Sequence, residues 1–175
     1  MIEMRIMGIA IDLRTGSPII ILNDAENRRA LPIWIGQAEA SAIIRILESV
    51  ETPRPMTHDL ICNILDTTSN FVEKIEINDL DDSTYFATIF LKNKEGKEFK
   101  IDSRPSDAIA IALKNKAPIF VAPNVVIDGT ISTDEERDEK ETEEFKDFVR
   151  NIKPSDFKKL INEKLNPDEP NDEEN

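Results

Sequence analysis

The sequence has very few of the residues on which several classes of protein depend. Its one cysteine, Cys62, excludes an internal disulfide and is typical of a reducing compartment. Its one histidine, His58, has to be the general base of any mechanism that uses an imidazole. The sequence has no Gly-rich phosphate loop, no zinc-ligand spacing of Cys and His and no G-x-S-x-G elbow, so those enzyme classes are excluded.

Long apolar runs are also missing, and none has the length that a bilayer requires. The N-terminal stretch holds Glu3 and Arg5 among its apolar residues and has no small-residue cleavage pattern. We therefore expect a strand there rather than a signal peptide, and a cytoplasmic protein with no membrane partner.

Negative charge is in excess, with a net charge of −13 and a pI of about 4.6. Residues 1–130 carry 19 acidic and 14 basic residues, a balance of −5, and residues 131–175 carry 16 and 8, a balance of −8. Affinity for nucleic acid comes from basic residues that neutralise phosphates. Binding to nucleic acid would therefore require a local basic patch within a repulsive background field.

Hydrophobic periodicity predicts an α+β fold. Alternation and turn signals predict strands over residues 4–13, 18–22, 31–35, 71–77, 85–92, 98–102 and 118–121. The 3.6-residue period predicts helices over residues 37–50, from an N-cap at Thr57 to about Leu65, and from Pro105 onward. The run 108–113 of this third helix has no polar face, so we expect the helix to be buried.

The predicted elements indicate an internal repeat within a compact domain that has a mixed or antiparallel sheet. The order strand–strand–strand–helix occurs in residues 4–50 and again in 71–115. Aligning the sequences of the two predicted helices matches Glu39 with Asp107, and each acid lies early in its helix. A true duplication would relate these acids by a pseudo-two-fold axis, whereas chance matching of Ala and Ile is the alternative.

Charge and patterning divide the chain into a core and a tail. We expect a core domain over residues 1–130 and an acidic helical arm over 131–165 that packs on the core or on a partner subunit. The arm carries one narrow apolar stripe on an otherwise charged helix, formed by Phe145, Phe148, Val149 and Ile152. Residues 166–175 are too polar and charged to form a core, so we expect a disordered tail.

Two segments are more specific than general α+β patterning. The first is Leu31–Ala40 (LPIWIGQAEA), continuing to Arg54–Leu60 (RPMTHDL). The second is Ile101–Ala110 (IDSRPSDAIA), continuing to Ala117–Val121 (APIFV). In content, order and spacing these segments resemble the bifunctional nuclease family, and the likeness extends over roughly residues 4 to 160.

The resemblance implies a compact α+β domain that cleaves both DNA and RNA. The residues that match the motifs, and that are therefore candidates for catalysis, are Glu39, His58, Asp59, Asp102, Arg104 and Asp107.

Each of these candidates also has a structural interpretation. His58 at a helix N-terminus is either a general base that stays neutral near pH 7 or a partly buried residue bonded to the adjacent turn. Asp59 is either functional or a first-turn acid favoured by the helix dipole. Cys62, four residues after His58, is either a nucleophile or a buried structural thiol.

The carboxylates of Glu39, Asp102 and Asp107 are the candidate ligands of a divalent metal. Oxygen ligands suit Mg²⁺ or Mn²⁺, which would neutralise charge and activate water. The alternative is that these acids form buried pairs with Arg104 or Arg45, or cap the helices.

Nucleic acid would need a basic patch, for which Arg28, Arg45 and Arg54 are the candidate substrate-binding residues. Solvated or paired arginines are the alternative. Trp34 is either a stacking platform for a base or part of the core or of a subunit interface.

Two functions remain. The first is a metal-assisted nuclease acting on DNA and RNA, which predicts that Glu39, His58, Asp102 and Asp107 lie close together. The second is a non-catalytic binding or assembly module that acts as a homo-oligomer with protein partners, which predicts that every motif acid is paired in a closed core.

Overall fold

A single mixed β-sheet organises residues 1–129 and 131–132, which are the residues that the computed structural model describes. The strands are β1 Ile2–Ile11, β2 Pro18–Asp24, β3 Arg29–Trp34, β4 Asn70–Asp81, β5 Thr84–Asn93, β6 Glu98–Ser103, β7 Ile119–Val121 and β8 Ile131–Ser132. The helices are α1 Gln37–Leu47, α2 Thr57–Thr67, α3 Pro105–Asn115 and α4 Pro123–Gly129. The predicted α+β class is confirmed.

The strand order places the two predicted units on opposite sides of β7. The order is β6-β5-β4-β7-β1-β2-β3-β8, and β7 pairs antiparallel with β1 and parallel with β4. The triplets β1-β2-β3 and β4-β5-β6 therefore run outward from β7 in mirrored order. In the chain, α1 and α2 follow the first triplet and α3 follows the second. This is the arrangement expected of an internal repeat.

Helix α3 lies at the centre of the core, as its lack of a polar face predicts. It packs against α1, α2, β4 and β5. The run Ala108–Ala112 is buried, and Ile109 shares one apolar cluster with Ile75 and Ile77 of β4. Pro105 occupies the first helical position, where the missing N–H costs no hydrogen bond. The first turn of α3 is thereby fixed relative to the sheet.

A strict two-residue alternation does not hold at the start of β4. Period-two patterning groups Val72 with Lys74 and Glu76, and Phe71 with the core residues of β4. In the structure Val72 is buried and Phe71 is exposed. The register against β5 shifts between Val72 and Lys74, so a β-bulge exchanges the faces of the residues before it.

Two further predictions need correction. Thr57 is the first residue of α2 and not its N-cap, which is Met56. The Asp59 carboxylate accepts the backbone N–H of Met56 at 2.8 Å and so replaces the predicted threonine cap. Trp34 is half-exposed at the end of β3, with its indole N–H donating to Asp12 at 3.3 Å, and is therefore not a core residue.

The predicted acidic arm lies outside the described residues, apart from the short strand β8, and so does the predicted tail. In the part of the chain that the structure describes, no helix combines the length and apolarity needed to cross a membrane.

The core position of α3 makes a prediction for stability. Ile109→Ala removes a fully buried side chain, so the free energy of unfolding should fall by about 2–5 kcal/mol. Ile127→Ala, the same change at a side chain that is 77% exposed in α4, should alter it by less than about 0.5 kcal/mol. Urea denaturation followed by circular dichroism measures both, and equal losses would contradict the assignment of the core.

Candidate functional site

An open cleft of about 1120 Å³ lies where α1, α2 and α3 meet. It is lined by seven of the nine residues that the sequence singles out as catalytic or substrate-binding. These seven are Glu39, Arg45, Arg54, His58, Asp59, Arg104 and Asp107.

Arg104 links the first turns of two helices across this cleft. Its Nη1 lies 3.0 Å from Oε1 of Glu39 in α1, and its Nε lies 2.7 Å from Oδ2 of Asp107 in α3. The two acids hold the same third position of their helices, as the sequence superposition predicts. The Asp–Arg pairing that was the structural alternative for these acids is therefore present.

His58 completes the network from the first turn of α2. Its Nε2 lies 3.3 Å from Oδ1 of Asp107, and its ring is largely buried. Burial raises the pKa of Asp107, but the hydrogen bonds from Arg104 and His58 outweigh burial and hold this pKa below its ordinary value. Asp107 is therefore ionised near neutral pH and accepts a hydrogen bond from Nε2, which assigns a proton to Nε2.

A second ion pair joins α2 to the end of α3. Lys114 pairs with Asp59, and the hydrogen bond from Lys114, followed by that from the Met56 backbone, lowers the pKa of Asp59. Nothing in the sequence marks Lys114 as a partner of Asp59, because a lysine in the last turn of a helix usually interacts with that helix's own carbonyls. This residue is the part of the site that sequence reasoning missed.

Cys62 lies one turn after His58 but is held in a different environment. Its Sγ accepts a hydrogen bond from the Asn115 amide at 3.2 Å. Burial raises the pKa of the Cys62 thiol, so little thiolate forms at neutral pH. This is the environment of a structural thiol.

The site carboxylates do not fit a resident divalent metal in this arrangement. Both oxygens of Asp107 are engaged, one by His58 and one by Arg104. Glu39 is paired with Arg104, and its second oxygen lies against the backbone of Gly36, where an added Cβ would overlap it. Among the described residues, no group of three or more His, Cys, Asp or Glu side chains is arranged to hold a metal ion.

Two of the predicted site residues lie away from the cleft. Asp102 is exposed on β6, opposite Thr88 of β5, and does not line the cleft. Arg28 pairs with Glu26 in the turn between β2 and β3. The fold therefore separates Asp102 from Asp107, although only four residues lie between them in the chain.

Two arginines of the cleft remain available for an anion. Arg45 projects from the last turn of α1, and Arg54 lies in the segment between α1 and α2. Neither guanidinium has an ion-pair partner among the described residues, although both line the cleft. They are the two predicted substrate-binding residues that the fold brings to the His58–Asp107 pair.

The fold and the cleft define an α+β domain in which a histidine–aspartate pair faces an arginine-lined surface. A family model described as the bifunctional nuclease domain matches residues 20–134, which is more than half of the chain. The chain therefore belongs to the bifunctional nuclease domain family, and the predicted membership is confirmed.

Several known proteins are similar to this chain, and two of those described next carry the family's name. An uncharacterized protein of Mycobacterium tuberculosis is 36% identical over 164 residues, covering 89% of this chain and 98% of that protein. Bifunctional nuclease 1 of Oryza sativa subsp. indica is 25% identical over 114 residues, 62% of this chain and 34% of the rice protein. Bifunctional nuclease 2 of Oryza sativa subsp. japonica is 30% identical over 108 residues. The match covers 59% of this chain and 33% of that rice protein.

The lowered pKa of Asp107 predicts a pH-dependent contribution to stability. Asp107→Asn removes the charge that Arg104 and His58 contact, so the free energy of unfolding at neutral pH should fall by about 1–3 kcal/mol. The carboxylate stabilises the fold above the ordinary pKa of aspartate, and this contribution is lost as the pH falls through the lowered pKa. The difference in the free energy of unfolding between the parent and the variant should therefore become smaller in acid.

Urea denaturation from neutral pH down to about pH 2 measures this difference in unfolding free energy, and Asp102→Asn is the matched control. The control changes an exposed carboxylate outside the cleft and should alter stability by less than about 0.5 kcal/mol. A parent–variant difference for Asp107 that stays constant across this range would contradict the electrostatic account.

Proposed function

We propose that the chain is a nuclease that cleaves phosphodiester bonds of nucleic acid in the α1–α2–α3 cleft. The observation that carries the proposal is the contact between His58 Nε2 and the ionised Asp107 beside the exposed guanidinium of Arg104. This arrangement holds one imidazole in a single tautomer next to a group that attracts phosphate. The family and the names of the rice relatives support the same class of reaction.

Each residue of the network has a distinct role in this proposal. His58 Nδ1 accepts a proton from the attacking hydroxyl or water, since Nε2 is occupied by its bond to Asp107. Asp107 is a positioning residue that fixes the ring and stabilises the imidazolium. Arg104 contacts the phosphate and stabilises the charge that develops on it, while Glu39 holds the guanidinium in place.

The cleft provides the local basic patch that an acidic chain needs in order to bind nucleic acid. Five basic and four acidic residues line it, in a chain whose net charge is −13. Three of the acids, Glu39, Asp59 and Asp107, are already paired with basic residues. The groups left to meet a phosphate are therefore mainly cationic, with Arg45 and Arg54 placed to hold the flanking phosphates.

The alternative is a non-catalytic binding or assembly module acting as a homo-oligomer. The observation that favours it is the same set of ion pairs, since acids that hold three helices together need no catalytic role. The open cleft and the available arginines favour the nuclease.

The proposal predicts that cleavage depends on His58. His58→Ala and Asp107→Asn should each reduce cleavage of labelled single-stranded DNA and RNA by about 100-fold or more, because proton transfer and its orientation are lost. Asp102→Asn should keep parental activity, since Asp102 lies outside the cleft. Gel assays with EDTA, Mg²⁺ or Mn²⁺ measure this, with folding checked by circular dichroism.

Equal activity in all three variants would assign the cutting to another site or to a contaminant. No cleavage by the parent protein in any of these conditions would favour the assembly module, and size-exclusion chromatography with light scattering would then show its oligomeric state.

The arginines make a separate prediction about binding. Arg54→Ala should weaken binding of a fluorescent single-stranded oligonucleotide and should reduce the slope of log affinity against log salt by about 0.7, because one phosphate contact is lost. Arg28→Ala is the matched control, since Arg28 is an exposed arginine outside the cleft that pairs with Glu26. Fluorescence anisotropy at several salt concentrations measures both slopes, and identical slopes in the two variants would contradict the placement of substrate.

A further inference from the structure

We infer that residues 133–165 of this chain dock on the face of β1, β2 and β3 that points away from the helices. The surface lies on the other side of the sheet from the cleft, so the inference stands whether or not the chain is a nuclease. The part of the segment that makes the contact is its apolar stripe, formed by Phe145, Phe148, Val149 and Ile152.

The docking face carries a second apolar cluster, separate from the core. Its members are Ala10, Ile19, Ile21 and Ala30. They alternate with core residues along the strands, as Ile19 and Ile21 do with Ile20 in β2, and alternate side chains of a strand point to opposite faces. Pro32 and Trp34 extend the same face along β3, where they lie opposite Ile21 and Ile19. The face is therefore apolar across three neighbouring strands.

The four described helices pack on the other face. The buried aliphatic residues of α1, α3 and α4 all belong to the core cluster, and Ile61 and Leu65 of α2 pack against it. Ile19 and Ile21 are nevertheless only 2% and 1% exposed, whereas an uncovered sheet face leaves its side chains in contact with water. A covering segment from outside the described residues explains this burial.

A buried polar atom on the same face also lacks a partner. Asn23 follows Ile19 and Ile21 on this side of β2 and is buried, and its Oδ1 has no hydrogen-bond partner among the described residues. A buried amide oxygen without a donor is destabilising. The covering segment therefore has to offer polar hydrogen as well as apolar surface, and the basic residues that flank the stripe provide it.

The last described residues lie at the edge of this face. β8 pairs with β3, and Ile131 lies opposite Ala30, which is a member of the second cluster. Neighbouring strands are about 4.8 Å apart, so β1 lies about 14 Å from β8. The 13 residues that lead from Ser132 to Phe145 span about 20 Å as a helix and up to about 43 Å when extended. The stripe can therefore reach every strand of the cluster.

The sequence of the segment suits a contact on one side only. The stripe has helical spacing, while Lys146, Asp147 and Arg150 fall between its members. Docking the apolar side leaves the charged side in water. It also keeps the negative charge of the tail, a balance of −8 over residues 131–175, on the face opposite the cleft. Under the proposed function, the tail then does not compete with phosphate for Arg45 and Arg54.

The test attaches a nitroxide spin label at Lys146→Cys, off the stripe, in the full chain with isotope-labelled isoleucine methyl groups. The label should broaden the methyl signals of Ile19 and Ile21 and leave the ring signals of His58 unchanged. Burial raises the pKa of the Cys62 thiol, which therefore reacts slowly with the label. The parent chain, treated with the same reagent, is the control for any label on Cys62.

Three results would overturn the inference. Broadening of the His58 signals, with sharp signals from Ile19 and Ile21, would place the segment in the cleft. Sharp signals from all three residues would show that the segment docks on neither surface. A mixture of isotope-labelled chains without the spin label and spin-labelled chains without isotopes tests a second copy. Broadening of Ile19 and Ile21 in that mixture would assign the face to the stripe of another molecule.

A substitution within the stripe gives a second measurement. Phe148→Asp should raise the equilibrium constant of unfolding about 10-fold or more, because a docked phenylalanine is lost. The emission of Trp34, the one tryptophan, should move to longer wavelength as the face opens. Lys146→Asp, off the stripe, is the matched control and should change the constant by less than about 3-fold. Equal effects of the two substitutions would contradict docking through the stripe, and the spin-label test holds even if Phe148→Asp fails to fold.

Discussion

Burial of helix α3 determines how the other helices of the described residues pack on the sheet. A helix with no polar face has to be enclosed, and α1, α2 and two strands of the sheet close around it. The same packing fixes the first turn of the helix, which carries Arg104 at its N-cap and Asp107 three residues later. Burial of this apolar helix thus fixes the positions of two charged side chains at the edge of the core.

Arg104 links the helices that this packing brings together. By contacting both Glu39 and Asp107 it holds two helix N-termini together, and Asp107 in turn orients His58. Placing a histidine and a carboxylate in a partly buried position costs desolvation, which the bonds from Arg104 and His58 offset. Because the acids are neutralised within the fold, a chain of strongly negative net charge can still present cationic groups to a phosphate.

Local features of the fold and part of the site could be predicted from sequence. The burial of α3 follows from its composition, and the matching positions of Glu39 and Asp107 follow from the repeated pattern. The contact between His58 and Asp107 joins residues 49 apart in the chain, and no spacing in the sequence encodes it. The position of Asp102 outside the cleft cannot be read from sequence spacing either, because it depends on how the chain turns from β6 into α3. Contacts between side chains that are far apart in the chain are determined by how the helices and strands pack together.

The proposed function requires the substrate to contact the imidazole of His58 in this cleft. Since His58 is the one histidine in the chain, its ring protons give NMR signals that need no separate assignment. We expect that adding a cleavage-resistant single-stranded phosphorothioate oligonucleotide shifts these signals, with the same saturation point as binding followed by fluorescence anisotropy. Ring signals that stay unchanged while the oligonucleotide binds would place the substrate elsewhere and contradict the account.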